Sequence, residues 1–145
     1  DLKKDNTGSK IDKRARKFLK KSNLDYAHGT GHGVGFFLNV HEGPQSISKI
    51  NKVKIKEGMI LSNEPGFYKK DHFGIRIENL VFVKKKNKNI YFENLTLVPL
   101  ERNLINYRLL TSVEKDYLFN YHTNIYSKIS KYLNLKERKW LASFI

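Results

Sequence analysis

The stretch His28-Gly29-Thr30-Gly31-His32-Gly33-Val34-Gly35, HGTGHGVG, decides how this chain is read. Four glycines in the seven residues from Gly29 to Gly35 exclude a stable helix, because each costs about 1 kcal/mol there relative to alanine. Two histidines four residues apart therefore stand in a segment whose walls are bare backbone. Such a segment is either a loop that needs only flexibility or a place where backbone or a bound molecule comes close to an imidazole. A phosphate loop is excluded, since no Gly-Lys-Ser/Thr follows and no strand leads in. A zincin helix is excluded too, because the pair His28/His32 lacks the glutamate of H-E-x-x-H.

Working outward, residues 9–23 carry Ile11, Ala15, Phe18 and Leu19 on one helical face, with Ser9 as the expected N-cap. FFLNV (36–40) reads as a short strand, and HEGPQSISKINK as a loop. GMILSNEPGFY (58–68) is expected to be a strand ending at Pro65-Gly66. FGIRIENLVFV (73–83) alternates as a strand, Ile75 and Ile77 on one face and Arg76 and Glu78 on the other. With IYFENLTLVPL (90–100) it predicts a hairpin. Thr111 and Glu114 form a capping box for a helix to about Leu133, with the stripe Val113, Tyr117, Leu118, Tyr121, Ile125, Ile129 and Tyr132. A short helix with Lys139, Trp140 and Leu141 follows.

Composition narrows the class. Of 145 residues, 39% are hydrophobic and 29% charged, as in ordinary soluble domains. No apolar run approaches a membrane span, and no signal peptide or membrane association is expected. The first residue is not Met, so an internal or truncated piece is expected. The absence of cysteine leaves any metal to His, Asp and Glu and fits a cytoplasmic protein. The formal charge is +14, but 22 of the 28 basic residues are lysines spread along the chain without interleaved aromatics. Compositional drift accounts for that better than nucleic-acid binding, and no nucleic-acid partner is expected.

The chemistry-bearing residues are those that interrupt apolar patterns. His32 lies in the glycine loop, Glu64 follows MILSN, and Glu78 stands inside IRIENLVF. A buried carboxylate needs a partner. For Glu78 that is either Arg76, two residues away on the same face, or a cation. One imidazole and two carboxylates suit manganese, zinc or cobalt. His28 and His41 flank the loop and could donate hydrogen bonds to a developing oxyanion. His72 and His122 are expected on the surface.

HGTGHGVGFFLNVHEGPQ, EGMILSNEPGFY and GIRIENLVFV, in this order, resemble the catalytic domain of the Xaa-Pro aminopeptidases (aminopeptidase P) among the pita-bread metallopeptidases. YFENLTLVPLERNLINYRLLTSVEKDYLFNYH resembles the C-terminal extension of their long branch. The resemblance implies an α+β fold: the C-terminal half of a pita-bread domain, with an antiparallel curved sheet, over residues 1–86, and a helical extension over 87–145. It implies removal of an N-terminal residue ahead of proline, by a water or hydroxide held between two divalent ions, usually manganese. His32, Glu64 and Glu78 match three of five metal ligands, with Glu78 bridging and Glu64 also taking the water's proton. His41 matches the histidine at the oxyanion, and His28 the one lining the proline side of the pocket. Arg76 matches a residue that fixes the nearby carboxylates. The family's two aspartate ligands and a further substrate histidine lie upstream and have no match here. This chain alone is therefore expected to bind metal poorly and to show little hydrolysis. Homodimerisation through the extension is also implied. Prolidase, methionine aminopeptidase and creatinase chemistry remain alternatives, as does a binding module.

Overall fold

The basic segment folds, in the computed structural model, as helix α1 (Gly8–Lys21). Thr7, rather than Ser9, is the N-cap, its side chain accepting from the Lys10 N–H. The buried face is Gly8, Ile11, Asp12 and Arg16. Phe18, expected on that face, is 72% exposed. The structure describes residues 6–37, 39–87 and 89–145, in two units, one ending at Thr96 and the other Leu97–Ile145.

In the first unit the glycine stretch is wedged between two strands. β1 (Gly31–His32) pairs antiparallel with β2 (Ser46–Ile47). On its other side the same segment meets β3 (Ile60–Asn63) through Val34 N–H to Ile60 O, Glu64 N–H to Thr30 O and the bridge Gly33–Leu61. This close approach is what the glycines serve. A methyl group on Gly31 would overlap the Ser62 carbonyl, and one on Gly33 the carbonyls of Glu42 and Gln45.

β3 stops at Asn63 and the chain resumes as β4 (Gly66–Lys69). Pro65 lies in the gap and has no N–H to give a ladder. The partner run breaks at the matching place, into β5 (Phe73–Arg76) and β6 (Asn79–Lys86). Each expected long strand is thus two short ones, belonging to separate sheets: β4–β5, and β3–β6–β7 with β7 at Asn89–Asn94. The β6–β7 hairpin forms as expected, but the strand expected to reach residue 100 ends at Asn94. Residues 36–40 are no strand among the described positions: Phe36 and Phe37 lie in a bend and turn, Phe37 with φ 53°. Leu38 lies outside the described residues. The core is Ile11, Ile47, Ile55, Leu61, Val81 and Val83. Full burial of such side chains contributes about 1.5–3 kcal/mol each.

The second unit is built on α2 (Ser112–Ile129), whose Thr111–Glu114 capping box is present, and α3 (Leu135–Ala142), which has its own box from Asn134 and Glu137. Tyr121, Ile125 and Leu141 form its core. Val113, Tyr117 and Tyr132 of the expected stripe are exposed.

His122, expected on the surface, is only 3% exposed. Its Nε2 accepts the Leu100 N–H at 3.2 Å, so the imidazole is held neutral on that side. Burial pushes its pKa below the usual histidine value, and a hydrogen bond to the Phe144 backbone works the other way. The unfolded imidazole gains its proton near pH 6.5, the folded one only at lower pH. Stability of this unit is therefore expected to be flat above about pH 6.5 and to fall as pH drops through the folded value. Hydrogen exchange of α2 and α3 amides, corrected for intrinsic rates, checks this; equal protection at pH 7 and pH 5 would refute it.

Candidate metal centre

The break in the strands makes the site. The register pairs Asn63 with Asn79 on one side of the gap and Gly66 with Arg76 on the other. Glu64 and Glu78 therefore lie opposite each other on the two backbones at the break. Ile77 N–H donates to the Pro65 carbonyl there, at 3.3 Å. The loop histidine arrives from the third side, since the His32 N–H donates to Ser62 Oγ at 2.9 Å.

Glu64 is 8% exposed, and each of its oxygens accepts one hydrogen bond. Its Oε1 accepts from Ser62 Oγ at 2.8 Å and its Oε2 from Arg76 Nη1 at 3.1 Å. His32 Nε2 stands 3.5 Å from Glu64 Oε1. His32 Nδ1 faces the Gly33 carbonyl at 3.1 Å. A carbonyl can only accept, so Nδ1 is the donor there and Nε2 is the ring nitrogen that faces the carboxylate oxygen. A ring nitrogen and a carboxylate oxygen 3.5 Å apart could share one cation. The donor set, an imidazole nitrogen with a carboxylate, fits a borderline or hard divalent ion. His41 completes this side, with its ring centroid 4.0 Å from that of His32.

Arg76 does not pair with Glu78 as its main contact. Its Nη1 goes to Glu64 and its Nε donates to Tyr68 Oη at 2.8 Å. The hydrogen bond to Tyr68 is the largest influence holding its pKa above the ordinary value, and the charges of Glu64 and Glu78 add to it. Because Tyr68 Oη accepts from Arg76, its own proton is free for His28 Nε2, 2.8 Å away. His28 Nδ1 then donates to the Gly29 carbonyl at 2.7 Å. One chain of hydrogen bonds thus runs His28–Tyr68–Arg76–Glu64–Ser62. Tyr68 and Ser62 escape a sequence reading, although Tyr68 falls four residues after Glu64.

Beneath the loop lies a second network. Arg16, 1% exposed, donates to Asp12 Oδ2 at 2.8 Å, to the Tyr26 carbonyl at 2.7 Å and to the His28 carbonyl at 2.6 Å, and pairs with Asp25. Its guanidinium stacks 3.8 Å over the Tyr26 ring. Thr30 donates to Asp12 Oδ1 at 2.7 Å, which leaves Tyr26 as donor to Thr30. The Arg16 hydrogen bond holds the Asp25 carboxyl well below the usual range, helped by Lys49. Asp12 and Asp25 are therefore spoken for as anchors of the loop.

Glu78 is exposed on this chain, and among the described residues no three His, Cys, Asp or Glu side chains already stand together as a cage for an ion. The structure brings His32, Glu64, His41 and Arg76 together, joins His28 to them through Tyr68, and sets Glu78 opposite Glu64 by backbone register.

An imidazole thus stands beside a hydrogen-bonded carboxylate at the break between two antiparallel sheets. The chain belongs to metallopeptidase family M24: the family's sequence model matches residues 1–85, and that of the C-terminal region of peptidase M24 matches 88–143. Xaa-Pro aminopeptidase 1 of Dictyostelium discoideum is 48% identical over 151 residues, covering 95% of this chain and 24% of that protein. A probable Xaa-Pro aminopeptidase P of Coprinopsis cinerea is 46% identical over 93% of this chain and 24% of its own. The crystal structure of X-prolyl aminopeptidase from Caenorhabditis elegans, a cytosolic enzyme with a di-nuclear active site, superposes with TM-score 0.86 at 38% identity, covering 94% of this chain and 24% of that one. The chain thus spans about a quarter of the length of these relatives. The fold is that of pita-bread metallopeptidases, in its mixed α+β form with antiparallel sheets.

Proposed function

We propose that the protein to which this chain belongs is a Xaa-Pro aminopeptidase, releasing the first residue of peptides with proline second. The observation that carries this reading is the facing pair His32 Nε2 and Glu64 Oε1, with the carboxylate's other partners already in place. His32, Glu64 and Glu78 would hold two divalent ions, manganese ahead of zinc or cobalt. When bound, such a pair supplies Lewis acidity and lowers the pKa of water. Glu64 keeps a carboxylate available to take a proton, and the Arg76 hydrogen bond fixes its orientation. His41 stands beside His32, where it can donate to a substrate carbonyl oxygen as charge develops there. His28, orientated by Tyr68 and the Gly29 carbonyl, would line the side where the proline ring sits.

The extension favours this activity over prolidase chemistry. The prolidase of Pyrococcus furiosus, at 33% identity and TM-score 0.54, covers 63% of this chain, whereas the X-prolyl aminopeptidase structure covers 94%. A cytoplasmic location is supported by the cytosolic relative. The described helices include none long and apolar enough to cross a membrane. We also propose a homodimer through the second unit, supported by its exposed Leu104, Leu109, Val113 and Phe119.

Metal removal tests the reading. Dialysis of the intact protein against a chelator is expected to abolish release of arginine from an Arg-Pro-Pro peptide, and manganese to restore it. Undiminished turnover by metal-free protein, or preference for Xaa-Pro dipeptides over the tripeptide, would overturn it.

A further inference from the structure

Helix α1 has an outward face that the site does not use. Lys10, Lys13, Arg14, Lys17, Lys20 and Lys21 recur at intervals of three and four residues, so they share one side of the helix, an arc of about 120°. All six are exposed. The opposite side is buried, and the helix's one acid, Asp12, is taken by Arg16. Among the described residues none of the five lysines has an ion-pair partner, and Arg14 reaches only Asn6 Oδ1. An open trough of about 660 Å³ runs along these six side chains and Asn6. Like charges at these spacings weaken a helix, and nothing described on this unit relieves them. Among the described residues no carboxylate is paired with this row.

We propose that this face of α1 docks an acidic polypeptide segment of a protein partner. The row from Lys10 to Lys21 is about 16 Å long at the helical rise, and its cations recur about once per turn. An acidic helix or extended segment with a carboxylate every 5–6 Å or so meets it charge for charge. A lipid surface fits less well, because the apolar side of the helix is spent on the core and only Phe18 is left at its edge. Single-stranded nucleic acid lacks a stacking platform of several rings, since Phe18 at the edge of the row is the helix's one aromatic residue.

Two variants of the intact protein, each losing four positive charges, test this. One is K13Q/R14Q/K17Q/K20Q; the control is K128Q/K131Q/K136Q/K139Q, on exposed lysines of the second unit. The probe is poly-glutamate, with duplex DNA, single-stranded DNA and phosphatidylserine vesicles as comparison arms at equal ionic strength. The unaltered protein is expected to bind poly-glutamate best, with affinity falling steeply as salt rises. The α1 variant should lose at least tenfold and the control less than twofold, both retaining wild-type circular dichroism and peptidase activity. Equal losses in the two variants would make the effect one of net charge alone and overturn the proposal. Tighter binding to any comparison arm would overturn it as well.

Discussion

Glu64→Gln in the intact protein is expected to lower kcat/KM toward a Xaa-Pro peptide by about 10³-fold or more. The substitution keeps volume and removes both charge and acceptor capacity. Glu64 accepts Ser62 Oγ–H on one oxygen and Arg76 N–H on the other. A Gln amide nitrogen facing Arg76 sets donor against donor, and one facing Ser62 leaves the hydroxyl proton without its acceptor. The lost negative charge also removes the group that balances Arg76 and stands beside His32 Nε2. Metal content should fall together with the rate, which separates loss of the centre from loss of folding when circular dichroism is unchanged. Glu78→Gln is expected to act in the same direction. Normal rates in both variants would remove these carboxylates from the centre.

Arg16→Ala should destabilise the first unit by about 3–5 kcal/mol, because it strips the charged partner from the buried Asp12 carboxylate. Asp12 would be left with the Thr30 hydroxyl alone among the contacts described above, and the Tyr26 and His28 carbonyls would lose their donors. Arg16→Lys keeps the charge but cannot reproduce the guanidinium fork, so it should recover only part of the loss. Denaturant unfolding followed by hydrogen exchange in residues 24–34 measures this. Unchanged protection in Arg16→Ala would mean that the glycine loop is held by its strand partners alone. The variant should also impair catalysis, since the loop carries His28 and His32.

Much of this was readable along the chain. Helix α1, the Thr111–Glu114 cap and the β6–β7 hairpin announce themselves through period and capping chemistry over a few residues. Glu64 and His32 announce themselves by standing where apolar or glycine-rich patterns have no use for them. The FFLNV segment misleads for the converse reason. Its apolar residues alternate with nothing, and Phe36 and Phe37 are 88% and 85% exposed. His122 misleads because a single histidine in a helix has no local signature of burial; its partners, Leu100 and Phe144, lie about twenty residues away on either side.

The amino-acid order by itself determined the family, the helices and the Thr111–Glu114 cap, and it marked His32 and Glu64 as residues out of pattern. Only the tertiary structure decided where the strands break, why the glycines are needed, and how Tyr68 and Arg16 serve the site. The reason is physical: period and capping act between neighbours in the chain, whereas the joints at Glu64–Glu78, His28–Tyr68 and Arg16–His28 are set by register and packing between distant segments, which leave no periodic trace in one dimension.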